Sequence, residues 1–365
     1  MKKSVIALAV AAAIPAFAQA ASNVSLYGIV DTAIGYQDNG GAAKATGNVT
    51  SGGMSTSRLG VQGTEDLGGG LKGSFRAETV LGTDNGTTES GGTNFWQRSL
   101  WLAVGGGFGT IKAGRDYTVG FSAAGQTDIM GYGLYGNWLA FTAGAGGIAT
   151  RASNMVSYTS PAIGNTACVA APQNTNCNAF NGGLTLTAMY SFAAGTGAQE
   201  ITAGSVGDDD AQGIAAVYKG GPLVLQGYYQ GLAVAGASDT KQYGAGAGWN
   251  MGAARLAVNY GVADPAGNNN KTTGYQLGGA VKAGAGEIRV SYINIKKDAN
   301  DAKTDIVGVA YVHPMSKRTN LYASYGVSNN NAVANNGLYA SGHALGASAA
   351  GADVSGFMLG IRHTF

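Results

Sequence analysis

The feature that most constrains this chain is a two-residue rhythm. Segments of about ten residues place apolar side chains on one parity and small or polar ones on the other, with turn residues between them. In GFMLGIRHTF, Phe357, Leu359, Ile361, His363 and Phe365 share one parity, and Gly356, Met358, Gly360, Arg362 and Thr364 share the other. Val24, Leu26, Gly28 and Val30 likewise alternate with Ser25, Tyr27, Ile29 and Asp31. So do Leu256, Val258 and Tyr260 with Arg255, Ala257 and Asn259, and Leu321, Ala323 and Tyr325 with Asn320, Tyr322 and Ser324. Successive side chains of a strand point to opposite faces, so each segment reads as a strand with one apolar face. Beyond the first twenty residues, no stretch approaches the ~20 consecutive apolar residues of a transmembrane helix.

The chain begins with Lys2 and Lys3, an apolar run from Val5 to Ala13, and Ala18-Gln19-Ala20. That order is the pattern of a secretory signal peptide, so residues 1–20 are expected to be removed and 21–365 to form one domain. Without Lys2 and Lys3, the 22 basic residues fall to the same number as the 20 acidic ones. No basic stripe remains for a nucleic-acid partner. Charged residues make up 12% of the chain, against about 25% in soluble domains. The 62 glycines alone would suit a disordered chain, but 45% hydrophobic residues in strict alternation argue against it. An exported, charge-poor chain without a spanning helix points to a closed barrel, because lipid cannot satisfy open backbone edges. A soluble β-sandwich of this length would split into domains joined by Pro- or Ser-rich linkers, and none is visible.

The connections support the same architecture. Short ones at Gly68-Gly69-Gly70, Gly105-Gly106-Gly107, Gly220-Gly221-Pro222, Asn250-Met251-Gly252 and Ala283-Gly284-Ala285 alternate with long ones, as periplasmic turns alternate with extracellular loops. Strands are expected near 23–36, 57–67, 71–80, 96–104, 109–117, 153–160, 184–193, 212–219, 223–232, 242–250, 254–262, 272–282, 286–295, 304–313, 319–327 and 355–365. The expectation is an all-β, 16-stranded antiparallel transmembrane barrel with both termini on the periplasmic side. Phe365 and Phe357 are expected at its aromatic rim, in contact with outer-membrane lipid.

The blocks SNVSLYGIVDTAIGY, SRLGVQGTEDLGGGLKGSF, GGGFGTIKAGRDYT, RASNMVSYTSP and GIRHTF resemble the Gram-negative general porins of the beta-proteobacterial trimeric type. They span residues 22 to 365. The resemblance implies a homotrimer in the outer membrane and a third loop folded into the lumen, here 118–150. It also implies that Phe365 helps the barrel-assembly machinery recognise the chain, and that the pore conducts ions and small hydrophilic solutes. In family terms Asp128 within GQTDIM looks like the loop acid that faces the pore. GYGLYG stands where related porins carry a PEFGG-like turn.

A water-filled barrel discriminates where its walls are closest, through the charges presented there. Arg58, Arg98 and Arg151 open the second, fourth and sixth strands at their loop-side ends, the positions of the family's constriction arginines. Arg76 and Glu78 share parity with Lys72, which puts them on the lumen side of the third strand. These arginines against Glu78 and Asp128 make the constriction net positive, so weak anion preference is expected. Cys168 and Cys177 are the two cysteines, and an exported setting favours a disulfide between them. They fall in an unusually long connection, 161–183, at the end where turns should be short.

Other patterns carry less. Gly131 to Gly136 matches G-x-G-x-x-G without the strand-to-helix setting that nucleotide binding needs. Asp208-Asp209-Asp210 reads as a solvated loop run, and His313, His343 and His363 are too scattered for a metal site. Neither a G-x-S-x-G motif nor a Walker lysine motif is present, so no cofactor, metal or enzymatic activity is expected. A substrate-specific channel for a sugar, phosphate or organic acid stays open because of Tyr132 and Tyr135, and a surface adhesin or receptor barrel is the third reading.

Overall fold

Strands with one apolar face close on themselves in lipid when the last can pair with the first, and here they do. The computed structural model describes residues 23–41, 46–88, 95–145, 150–164, 183–192, 210–232, 240–265, 270–341 and 343–365. Residues 1–20, Cys168 and Cys177 lie outside the described residues. The sixteen barrel strands pair antiparallel in sequence order. They are β1 (Asn23–Asp38), β2 in two pieces (Thr46–Ser51 and Arg58–Gly68), β3 (Leu71–Val80), β4 (Ser99–Gly106), β5 (Gly109–Tyr117) and β6 (Arg151–Thr159). β7 (Gly183–Ser191), β8 (Ala211–Gly220), β9 (Leu223–Leu232), β10 (Thr240–Asn250) and β11 (Ala254–Pro265) follow. β12 (Thr272–Ala283), β13 (Gly286–Lys297), β14 (Ala302–Pro314), β15 (Thr319–Asn330) and β16 (Val354–Thr364) complete the wall.

β16 pairs with β15 on one side and β1 on the other, from Ile29 opposite Thr364 to Asp38 opposite Ser355. Gly28 and Phe365 exchange two backbone hydrogen bonds of 3.1 Å at the end of that seam. The Phe365 ring lies on Gly28, where a Cβ would come within 2.3 Å of it. The terminal aromatic therefore closes the barrel at its turn-side rim, filling space that only glycine leaves.

Outward side chains are the apolar set: Leu102, Ile34 and Leu26 are 70%, 66% and 63% exposed. Aromatics line up across strands on this face, with Tyr229 opposite Tyr243, Tyr260 opposite Tyr275, and Phe357 between Tyr325 and Tyr36. That belt is what an interface between headgroups and hydrocarbon selects. β11, β13 and β15 run past the apolar band to Pro265, Lys297 and Asn330, further than expected. Their polar ends still pair, as with Lys241 opposite Asp264 and Asp305 opposite Asn329, because the backbone ladder does not require apolar side chains.

The interruption of β2 was not expected. Gly52 and Gly53 adopt φ of 82° and 140° and turn the chain into the lumen. A Cβ at Gly52 would lie 2.0 Å from the Ser341 carbonyl oxygen, so no other residue fits that bend. The hydrophobic core likewise lies inside the barrel: Trp138, Phe141, Tyr135, Leu134 and Met130 of the third loop are at most 1% exposed against the inner wall. Burial of each contributes about 1.5–3 kcal/mol.

Candidate pore constriction

The charged wall is built by strands β1 to β6. Pairing of β2 with β3 places Glu78 opposite Gly60 and Arg76 opposite Gln62, so both project into the lumen beside Arg58. Glu78 accepts a 2.6 Å hydrogen bond from Arg98 Nε and a 2.9 Å one from the Tyr27 hydroxyl. The Arg58 guanidinium lies 3.9 Å from the same carboxylate and donates through Nε to the Thr56 carbonyl at 2.9 Å. Arg98 is 4% exposed and also donates to the Tyr117 hydroxyl at 2.7 Å. Arg151 lies over the Tyr117 ring, 4.3 Å from its centroid, and its buried Nε has no hydrogen-bond partner among the described residues.

Below this set, Arg76 donates to Gln62 at 3.0 Å and lies 5.7 Å from the Tyr27 and Trp101 ring centroids. Lys112 faces the Trp101 ring too, at 5.5 Å, while it pairs with Asp116. Arg58 and Arg98 thus share the carboxylate of Glu78 with the Tyr27 hydroxyl, Arg151 stands beside them on Tyr117, and Arg76 lies below. Guanidiniums here outnumber the carboxylate they surround, and charge held between low-dielectric walls produces a focused field.

Asp128 does not join them. It is 8% exposed, and its carboxylate accepts hydrogen bonds from the backbone N–H groups of Tyr132 at 2.7 Å and Met130 at 3.2 Å, and from Gln276 at 2.8 Å. Burial pushes this carboxyl above its ordinary range, opposed by those donors. The expectation that it faces the pore is corrected: Asp128 fastens the loop to β12, because a carboxylate in a tight turn finds more donors in the turn and wall than in the lumen.

The third loop starts with helix α1 (Val119–Ala124), whose first turn is capped by Thr118 accepting from the Phe121 N–H. Tyr117, Phe121 and Tyr132 stack at 5.0 and 4.4 Å, joining the arginine wall to the loop. Across the lumen the loop lies on glycines: Gly261 and Gly274 under Phe141, Gly278 under Ile129, and Gly326 and Gly356 under Tyr135. A Cβ at Gly274 or Gly278 would meet those side chains at 2.4 Å. Gln276 and Ser291 donate to the Gly136 carbonyl at 3.1 and 2.6 Å, and Ser324 accepts from the Tyr135 N–H at 3.1 Å. GYGLYG is therefore a docking turn, and Tyr135, 1% exposed, is anchored against the wall.

Two further elements narrow the lumen. The turn between the pieces of β2 reaches the loop tip, where a Cβ on Gly133 would come 2.0 Å from the Met54 carbonyl oxygen. A short hairpin, Leu338–Ala340 with His343–Leu345, folds over both. Ser341 N–H donates to the carbonyls of Gly53 and Gly133, and Asn137 donates to the Tyr339 carbonyl. Sequence reasoning missed this clasp, and it missed Tyr27, Tyr117 and Trp101. The inward parity of Tyr27 in β1 and of Trp101 between Leu100 and Leu102 in β4 was the signal that could have found two of them.

A family model for Gram-negative porins matches residues 7–333. The chain is 37% identical, over 100% of both chains, to outer membrane porin protein 32 of Delftia acidovorans. It is 26% identical to an outer membrane porin protein of Bordetella pertussis, covering 88% of this chain and 93% of that one. Among solved structures it matches an anion-selective porin from Comamonas acidovorans with a TM-score of 0.79 and 30% identity, over 94% of this chain and 100% of that one.

Proposed function

The chain belongs to the Gram-negative porin family, and from that premise we propose that its pore passes small hydrophilic solutes with a preference for anions. The protein is a diffusion channel of the Gram-negative outer membrane, and its fold and family are those of passive channels. One observation carries the anion preference: Arg58 and Arg98 share the single carboxylate of Glu78 while Arg151 rests on the Tyr117 ring, so the guanidiniums outnumber the carboxylate they surround. A partly dehydrated anion gains from these guanidiniums and a cation is repelled. No covalent step is involved; the field alone sorts solutes. The test is the reversal potential of the purified protein in a potassium chloride gradient across a planar bilayer. The expected sign is that of anion preference, weakening as salt rises, and a cation-selective sign would overturn the reading.

Residues 1–20 act as the export signal in this reading, and the assembly is a homotrimer. The outer faces of β1 to β5 support the latter. β3 to β6 are shorter than β10 to β15, and a groove of 740 Å³ lies between Val24, Gly63, Gly73, Phe75, Leu102 and Ile111. A neighbouring copy fills such a recess better than disordered lipid chains do. Migration as a heat-dissociable trimer in gels checks this, and migration as a monomer after mild solubilisation contradicts it.

A further inference from the structure

A second basic group lies on the opposite wall, at the turn-side mouth of the barrel. Arg255, Lys282, Glu287, Arg289 and Arg362 all fall within four residues of a turn-side strand end, at the lumen positions of β11, β12, β13 and β16. One carboxylate serves two guanidiniums there: Glu287 is 2.6 Å from Arg255 and 2.7 Å from Arg289. Arg362 has no such partner among the described residues. Its register neighbour Asp31 accepts instead from the Tyr322 hydroxyl at 2.5 Å and the Ser55 N–H at 2.6 Å. The buried Nε of Arg362 has no hydrogen-bond partner among the described residues.

This group is separate from the constriction. The charged residues acting on Arg362 are Asp31 and Arg289, whereas those acting on Arg58 are Arg98 and Glu78. β13 and β16 are three strand spacings apart, roughly 14 Å along the wall, and the surface between them carries the inward side chains Ala310 and Val312 on β14 and Asn320 and Tyr322 on β15. Arg289 is one of the charged groups acting on Arg362, so the two guanidiniums lie within electrostatic reach of each other across that surface. Arg289 also reaches the third loop, with Nη1 3.4 Å from the Ile129 carbonyl oxygen, which puts the pair against the turn side of that loop.

We infer that Arg289 and Arg362, assisted by Arg255, form a second anion-binding site at the turn-side mouth that holds small polyvalent oxyanions, namely carboxylates or phosphates bearing two or more charges. Such an ion offers several acceptors to the unpaired Nε of Arg362 and to two guanidiniums that share one carboxylate, which a single chloride cannot match. The site rests on the anion-channel reading above and adds a resting point after the constriction.

The experiment is single-channel recording with citrate added to one chamber at a time. Wild-type protein is expected to show resolvable block from either chamber. The Arg289→Gln/Arg362→Gln pair should lose about tenfold in block from one chamber and far less from the other. The Arg255→Gln variant gives a milder loss with the same sidedness, and it stands in should the paired variant fail to insert. Unaltered block in these variants, or equal loss from both chambers, would overturn the second site. A cation-selective reversal potential in wild-type protein would instead overturn the anion-channel reading, so the two failures are distinguishable.

Discussion

The arginine wall of this pore and the face that seats its third loop treat their polar groups in opposite ways. On β1 to β6, guanidiniums outnumber the carboxylate they surround, and Arg151 keeps an Nε without a protein partner among the described residues. Where the loop lies on β11 to β16, glycines make room for its side chains and neutral polar groups hold it: Gln276 donates to the Asp128 carboxylate and the Gly136 carbonyl, and Ser291 donates to that same carbonyl. The first face leaves electrostatic demand unmet, which in the proposed reading passing anions meet. The second satisfies the loop internally and thereby holds it still. In the proposed reading, selectivity belongs to one face of the cylinder and rigidity to the other.

That division can be broken most severely from the docking side. Gly274→Leu forces a side chain into the space of Phe141 and should lift the third loop, raising single-channel conductance and the size limit for sugars in liposome swelling. The overpacking itself costs about 1–3 kcal/mol, read as earlier heat dissociation. Unchanged conductance in a folded variant would mean that the glycines do not seat the loop. Next in size, Arg58→Ala with Arg151→Ala should bring the reversal potential close to zero without enlarging the pore. Each lost charge is worth about 1 kcal/mol to a passing anion, roughly fivefold in permeability ratio.

Smaller changes sharpen the contrast. Glu78→Gln should raise anion preference at low salt while weakening the protein, because Arg98, 4% exposed, loses its partner. Breaking such a buried pair costs about 3–5 kcal/mol, measurable as a lower dissociation temperature. Asp128→Asn should alter selectivity least. Its carboxylate is turned into the loop, so the expected loss is about 1–3 kcal/mol of stability from unmatched hydrogen bonds. A marked shift in reversal potential for this variant would return Asp128 to the pore lining.

The alternation of residues was enough to place β3, β5 and β9 at the expected 71–80, 109–117 and 223–232. It also put Arg76 and Glu78 on the lumen face and made the last strand the partner of the first, because side-chain direction in a strand repeats with the backbone itself. Only the tertiary structure decided that Asp128 is an anchor, that β2 breaks at Gly52 and Gly53, and that a hairpin near Leu338 clasps the loop tip. Those outcomes rest on contacts such as Asp128 with Gln276, 148 residues apart, and Thr56 with Ser341, 285 apart. A loop path has no period to read. It is settled by which glycine leaves room and which donor lies within reach once the wall has closed.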